Sequence, residues 1–254
     1  MRFFTLLVLI AGLACTPITT IAGHPSIPEF EGINHGLGIE DNPIADAAHT
    51  MPLSRKIVVI DAGHGGWDPG MVSGKVEEKD INLCIAKKLQ VFLEQGGATV
   101  IVTRLEDIGL ANRKAGDMQA RRLIANTSKA DIFVSIHQNS YNSANVKGFQ
   151  AFYFNESDNS KKLATCIQGR LKEFVNPGNK LESRANKNYY VLKETEMPAV
   201  LVECGFLTNP GERGNLTNDA YQEKIAWGIY LGIVDYFHTA DEGTAPESSP
   251  PPVA

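Results

Sequence analysis

Three short apolar runs constrain the fold of this chain more than any other feature of its sequence. They lie at residues 56–61, 131–137 and 199–203 and consist mostly of β-branched and aliphatic residues. Runs of this length without a polar residue at every second position are typical of strands buried on both faces of a parallel sheet. Segments with helical spacing of apolar residues separate the runs, and this alternation predicts an α/β fold.

The segments between these runs extend the alternation. We predict strands at residues 56–61, 98–104, 131–137, 149–154, 189–192 and 199–203, and helices at residues 79–95, 117–127, 161–174 and 221–238. The strand at residues 149–154 has the pattern of an edge strand. The sequence therefore predicts a three-layer α/β sandwich, with helices on both faces of a mostly parallel or mixed sheet in a single domain.

Composition limits the classes of function. Hydrophobic residues make up 43% and charged residues 21% of the 254 residues, which is the balance of a soluble globular protein with a sizeable core. The formal net charge of −5 argues against binding of nucleic acid by bulk electrostatics. We expect a monomer by default.

The N-terminus has the pattern of a secretory signal peptide at residues 1–22. Arg2 precedes an apolar run at residues 3–15, and small residues near Ala22 resemble a cleavage site. The run of about 13 residues is shorter than the roughly 20 needed to span a bilayer, so we expect no stable membrane span in the mature form. Retention of the segment, or lipidation at Cys15, are the alternatives.

The remaining boundaries follow from local composition. Residues 23–54 are rich in Gly, Pro, Asn and Asp and predict an extended arm. The domain is predicted at residues 55–238, and a disordered Pro-rich tail at residues 239–254. With the signal, this organisation predicts an exported protein of the periplasm or cell envelope, or one released outside the cell.

The cysteines do not indicate a disulfide framework. Cys84, Cys166 and Cys204 would remain after cleavage at residue 22, and an odd number leaves at least one thiol unpaired. Cys84 and Cys166 fall in helical apolar patterns, where a buried and unreactive thiol is usual. No CxxC spacing is present, which argues against a thiolate zinc site.

Candidate chemistry is concentrated where predicted strands end. His64 follows the first strand, His137 ends the run at residues 131–137, and Glu203 ends the last run. Glu78 stands at the start of the first helix. Because ligands of open α/β sheets gather at the carboxyl ends of the strands, these side chains are candidates for one site. Two imidazoles and one carboxylate suit a catalytic zinc ion, and a second carboxylate can act as a base.

Each of these residues also has a simpler interpretation. A single His after a strand is more often a loop residue than a ligand, and Glu78 alone is a favourable first-turn residue of a helix. Glu203 is harder to explain in this way, because a carboxylate is rarely unpaired in a buried strand. The residue types alone leave the choice open.

Two other chemistries compete for the same residues. The Gly-rich loop around His64 could cradle a phosphate, but it lacks both the Lys-Ser/Thr of a P-loop and the GxGxxG of a dinucleotide fold. Cys204 could act as a nucleophile with His137 as its base, but the neighbouring Glu203 disfavours a thiolate.

Four segments resemble the motifs of the zinc-dependent N-acetylmuramoyl-L-alanine amidases, a family that includes cell-division and spore-cortex amidases. The matching segments are residues 60–70, 78–83, 120–139 and 197–209, and the resemblance extends over residues 55–237. It implies one Zn²⁺ ion held by His64, Glu78 and His137, with Glu203 as the catalytic base. It also implies hydrolysis of the amide between N-acetylmuramic acid and L-alanine in peptidoglycan, within an open groove that admits the glycan and the stem peptide.

The sequence departs from the family in three places. Gln138 and Cys204 replace smaller or different residues beside the motifs, which puts the substrate contacts in doubt but removes no ligand. Division amidases often carry an inserted helix that covers the zinc until an activator displaces it, whereas only residues 155–159 separate the corresponding elements here. We expect an enzyme that is active unaided or is controlled by another protein activator or recruiter.

The resemblance leaves two other functions open. One is a wall-binding domain that keeps the fold without turnover, and intact Glu203 and ligand residues count against it. The other is a zinc peptidase that cuts within the stem peptide, which would release shortened stems. The sequence assigns no substrate-binding residues.

Overall fold

The computed structural model describes residues 51–242 of the protein, and their side chains as far as residue 239. The predicted signal lies outside the described residues, as do residues 23–50 of the arm and residues 243–254 of the tail. None of the helices within the described part of the chain is both long enough and apolar enough to cross a membrane.

The described residues contain eight strands and six helices. In chain order they are β1 (Ile57–Ala62), β2 (Val72–Ser73), β3 (Val76–Glu77), α1 (Glu78–Gln95), β4 (Thr99–Val102), α2 (Lys114–Thr127), β5 (Ile132–Asn139), β6 (Gln150–Tyr153), α3 (Asp158–Phe174), β7 (Arg184–Ala185), α4 (Tyr190–Glu194), β8 (Ala199–Phe206), α5 (Pro210–Leu216) and α6 (Asp219–Glu242).

Six of the described strands form one sheet in the order β4-β1-β5-β8-β6-β7. The first four strands in this order are parallel to one another, whereas β6 is antiparallel to β8 and parallel to β7. The prediction of a mostly parallel or mixed sheet is confirmed. The register of β5 and β8 places His137 directly opposite Glu203, which fixes two of the candidate residues as neighbours.

Side chains of the central strands alternate between two apolar layers. Ile60, Ile136 and Val202 belong to the larger core, which helices α1, α3 and α6 cover. Their neighbours on the other face join a smaller core with residues of α2 and α4, such as Met118 and Val191. Because successive side chains of a strand point to opposite faces, each run had to be apolar throughout. The predicted three-layer sandwich is confirmed.

One predicted element is wrong and several were missed. The segment predicted as a strand at residues 189–192 forms the short helix α4, whose side chains Val191 and Leu192 pack onto the smaller core. The Asn186 side chain accepts hydrogen bonds from the backbone of Asn188 and Tyr189 and turns the chain just before this helix. A run of four β-favouring residues cannot by itself distinguish a strand from a buried helical turn.

The missed elements are short. They are the β2–β3 hairpin, the two-residue strand β7 and the helix α5. Helix α5 carries a clear local signal, because Asn209 accepts a hydrogen bond from the Glu212 N–H and Pro210 occupies the first turn. The other predicted elements are present, with ends shifted by a few residues.

Candidate metal centre and catalytic cleft

The three residues predicted as metal ligands converge above the carboxyl ends of β1 and β5. His64 lies two residues after β1, His137 lies in β5, and Glu78 opens helix α1. One side-chain ligand atom from each lies within 4.8 Å of the other two. Glu78 Oε1 lies 3.3 Å from His64 Nε2 and 3.0 Å from His137 Nδ1. These nitrogens and this oxygen are the donors that catalytic zinc prefers.

His64 is oriented from its other ring nitrogen. Nδ1 lies 2.9 Å from Asp68 Oδ2, which leaves Nε2 directed at Glu78. This carboxylate–histidine arrangement is the usual support of a histidine that ligates a metal. Burial opposes protonation of His64, but the carboxylates of Glu78 and Asp68 outweigh it and raise the pKa of the imidazole. The His64 backbone adopts a left-handed φ of 61°, which is uncommon for a residue with a side chain.

Two glycines leave space for the side chains of the candidate ligands. A Cβ atom on Gly63 would lie 2.3 Å from ring atoms of His137. A Cβ atom on Gly70 would lie 2.5 Å from Glu78 Oε2 and 2.8 Å from His64 Cδ2, and Gly70 also has a left-handed φ of 66°. The glycines of the first motif therefore serve close packing of the ligand set, which fits a metal site better than a phosphate-binding loop.

Glu78 is held as an ionised carboxylate. Its Oε1 accepts a hydrogen bond of 3.0 Å from the Gln138 N–H, and its Oε2 accepts one of 2.8 Å from the Met71 N–H. Burial alone would raise the pKa of Glu78, but the hydrogen bonds and charges of His137 and His64 lower it far below the usual range. The carboxylate is therefore ready to bind a cation.

Behind Glu78 lies a buried amide network. Asn82 Nδ2 donates to the Gly63 carbonyl at 3.1 Å and lies 3.4 Å from Glu78 Oε1. Gln138 Nε2 donates to Asn82 Oδ1 at 3.1 Å. Gln138, one of the departures from the family motifs, thus contacts Asn82, which in turn contacts the candidate ligand Glu78. Cys204 is buried on the same face of the sheet, and burial raises the pKa of its thiol, which argues against a nucleophilic thiolate.

On the other face, Arg121 of α2 supports the loop that carries His64. Its guanidinium forms ion pairs with Asp61 and Asp117 and donates to the carbonyl oxygens of Ala62 and His64. Sequence reasoning placed Arg121 and Asp61 in motifs but assigned them no role. A buried Asp at the end of an apolar strand was the available signal, because such a carboxylate requires a partner.

Glu203 has fewer polar contacts than Glu78 among the described residues. Its side chain is 7% exposed, and the Tyr189 hydroxyl donates to Oε1 over 3.4 Å. Its Oε2 is buried without a hydrogen-bond partner among the described residues. Burial, together with the charge of Glu78, raises the pKa of Glu203 to about 7, although His137 opposes the shift. Such a carboxyl group exchanges a proton readily near neutral pH.

All four candidate residues line one cleft of about 670 Å³. Its walls come from the strand ends, from α2 and from the segment around α4. Met118, Val191 and Leu201 supply apolar wall, and Lys114 adds a positive charge. The arrangement can hold a cation beside a carboxyl group that is able to transfer a proton.

Comparison with known proteins extends over this whole region. The N-acetylmuramoyl-L-alanine amidase family model matches residues 58–235. The germination-specific N-acetylmuramoyl-L-alanine amidase of Bacillus subtilis is 37% identical over 206 residues, which cover 78% of this chain and 86% of that protein.

Solved structures agree with the sequence matches. The structure of the CwlD amidase from Clostridioides difficile in complex with the GerS lipoprotein has a TM-score of 0.71 and 40% identity, covering 72% of this chain and 99% of that one. The catalytic domain of CwlV, an N-acetylmuramoyl-L-alanine amidase from Bacillus (Paenibacillus) polymyxa var. colistinus, has a TM-score of 0.63 and 36% identity, covering 72% and 98%.

Proposed function

The chain belongs to the N-acetylmuramoyl-L-alanine amidase family, and from this premise we propose that it hydrolyses the amide between N-acetylmuramic acid and the L-alanine of the peptidoglycan stem peptide. The observation that carries the proposal is the convergence of His64, Glu78 and His137 beside Glu203 in one cleft. Each of these residues lies in a segment that resembles a family motif.

We assign His64, Glu78 and His137 as ligands of a single zinc ion. Support comes from the donor set, from the Asp68 contact to His64 and from the glycines that leave room only for the ligand side chains. Zinc held there supplies Lewis acidity, which makes an amide carbonyl more electrophilic and a water molecule more acidic.

Glu203 is the group that moves the proton. Its carboxylate takes a proton from the attacking water and delivers it to the leaving nitrogen as the carbon–nitrogen bond breaks. The products are the lactyl carboxylate of the glycan and a stem peptide with a free amino group. Burial raises the pKa of the Glu203 carboxyl in the metal-free site, which favours its binding of the proton, and the Tyr189 hydroxyl donates to one of its oxygens.

The proposed enzyme works on the cell wall, outside the cytoplasm, after export through the signal at residues 1–22. Only residues 154–157 connect β6 to α3, which leaves no room there for a helix that covers the cleft. We therefore infer that turnover needs no activator to uncover the site. The CwlD structure contains a lipoprotein partner, so recruitment of this chain by another protein is compatible with the same proposal.

Mass spectrometry of digested peptidoglycan tests the proposed function. The purified protein with zinc should release intact stem peptides that begin with a free L-alanine amino group. A chelator should abolish the release, as should the substitution Glu203→Gln, which preserves the shape of the side chain but not its proton transfer. Shortened stems would instead indicate a peptidase. Binding to cell walls without any release would indicate a wall-binding protein.

A further inference from the structure

A second, smaller groove adjoins the cleft and contains none of the residues predicted from the sequence. It has a volume of about 400 Å³ and is lined by Met71, Ser140, Tyr141, Asn142 and Thr208. Ser140 lines both the groove and the main cleft, so the two are adjacent at this residue. The Tyr141 N–H donates to Thr208 Oγ1 at 3.1 Å, which ties together the loops that follow β5 and β8.

The groove and the cleft each contain residues that pack against a different face of the sheet. Met71 of the groove packs against the larger core. Met118, Val191 and Leu201 of the cleft belong to the smaller core on the other face. The proposed ligand residues lie between the two, because Met71 donates to Glu78 while Glu78 contacts both histidines. A substrate that occupies both the groove and the cleft therefore passes over the carboxyl edge of the sheet at the proposed metal site.

The position of Glu203 indicates which part of the substrate lies in the cleft and which in the groove. Glu203 points to the face of the smaller core, where Leu201 lies two residues before it in β8. The leaving nitrogen must reach Glu203 to receive its proton, so the stem peptide extends into the main cleft. The acyl side of the amide, which carries the sugar, then extends towards the smaller groove.

We propose that the smaller groove is the glycan subsite and that Tyr141 provides its stacking platform, an inference that rests on the proposed amidase function. The Tyr141 side chain is 59% exposed, which leaves the ring available to the apolar C–H face of a pyranose. Hydroxyl groups of Ser140 and Thr208 and the amide of Asn142 match the hydroxyl and acetamido groups of the sugar.

The charges of the lining residues support the same assignment of sugar to the groove and stem peptide to the cleft. None of the five residues that line the groove is charged, which suits a neutral sugar. The main cleft, in contrast, is lined by charged side chains of both signs, among them Lys114, Asp68 and Asp117, which suits the charged groups of a stem peptide. A groove of a few hundred Å³ is within the range of sites for small ligands.

Product inhibition separates the two subsites experimentally. Tyr141→Ala should raise KM for a muramoyl peptide by about threefold to tenfold, with little change in kcat, because the lost stacking affects binding rather than chemistry. The inhibition constant of the peptide-free glycan disaccharide should rise by the same factor, and that of the free stem peptide should not change. Tyr141→Phe keeps the ring and should recover most of the glycan affinity that Tyr141→Ala loses.

The outcomes separate this inference from the proposed function. A wild-type enzyme that cleaves the muramoyl peptide, together with a Tyr141→Ala variant whose KM lies within twofold of wild type, would overturn the glycan subsite and leave the amidase intact. An equal rise in the inhibition constants of glycan and stem peptide would overturn it as well, since a general distortion of the cleft would then explain the result. A wild-type protein that cleaves no amide overturns the proposed function itself.

Discussion

At the residue scale, the pKa values of two glutamates in the cleft are shifted in opposite directions. Glu78 is surrounded by two imidazoles and two backbone N–H donors, so its pKa lies far below normal. Glu203 is buried with one long hydrogen bond from Tyr189, and its pKa is raised to about 7. Pairs of carboxyl groups whose environments separate their pKa values commonly divide the roles of ligand and acid–base group.

The raised pKa of Glu203 predicts a stability cost that grows with pH. Between the ordinary value of 4.5 and about 7, the folded state binds the proton more tightly than the unfolded state does, so stability falls as pH rises through this window. Glu203→Gln removes the titration. In metal-free protein, its gain in unfolding free energy should grow from roughly 1 kcal/mol at pH 5 to about 3 kcal/mol at pH 8.

Urea unfolding of both proteins at the two pH values measures this effect. Glu156→Gln makes the same change at an exposed position and is the matched control. A Glu203→Gln variant that is no more stable than wild type at pH 8 would contradict the raised pKa, because the ionised carboxylate would then carry no cost in the folded protein.

Gln138 offers a prediction on metal affinity. Its replacement by alanine leaves Asn82 Oδ1 buried without its donor and loosens the amide that lies beside Glu78. Loss of an outer support of a ligand typically weakens metal binding by about tenfold to a hundredfold. Competition with a chromophoric zinc chelator measures the affinity directly, and Gln90→Ala on the exposed side of α1 is the matched control. Equal affinities in the two variants would show that the backbone N–H donors alone hold Glu78.

At the element scale, helix α2 and strand β1 are joined by one buried side chain. Arg121 connects the helix to Asp61 within β1 and to the loop that turns through His64. Asp61 also accepts hydrogen bonds from Thr103 and Ser135, so three segments of the sheet meet at this carboxylate. The planar fork of arginine reaches several acceptors at once, which a lysine cannot do.

Arg121→Lys should therefore lower both stability and metal affinity. Loss of hydrogen bonds to charged and backbone acceptors should reduce the unfolding free energy by about 2 kcal/mol. The left-handed turn at His64 should become mobile, which weakens zinc binding. Thermal unfolding and zinc titration check the two effects, and Arg113→Lys at an exposed position is the control. Lowered stability with unchanged zinc affinity would show that Asp68 alone orients His64.

At the scale of the whole molecule, the two cores of the described domain are apolar and include none of the candidate metal ligands. Two apolar clusters on opposite faces of a six-stranded sheet hold the described domain together. We therefore expect zinc to stabilise an already folded protein. At about a hundredfold excess over Kd, binding contributes about 2.7 kcal/mol, which corresponds to roughly 5 to 10 °C in Tm for a domain of this size.

Removal of zinc by a chelator should abolish hydrolysis and lower Tm by this amount, while the near-ultraviolet circular dichroism stays close to that of the zinc-bound protein. The stabilisation should weaken as pH falls, because protons compete with the metal for the two histidines. Loss of the near-ultraviolet signal on chelation would instead assign the metal a structural role.

The sequence by itself determined the layers of the fold and the candidates for the site. Apolar runs at residues 56–61, 131–137 and 199–203 predict buried strands from local pattern, and the motif residues His64, Glu78, His137 and Glu203 stand where such strands and the first helix end or begin. These features are local, since they depend on neighbours within a few positions in the chain.

Only the tertiary structure decided how these parts face one another. It placed Arg121 against the carbonyl of His64, 57 positions away, and turned residues 190–194 into a helix on the smaller core. It also placed Glu203 in the main cleft and Tyr141 in the smaller groove. Contacts of this kind arise because burial and hydrogen bonding are satisfied between distant segments, and no short pattern in the chain records which segments meet.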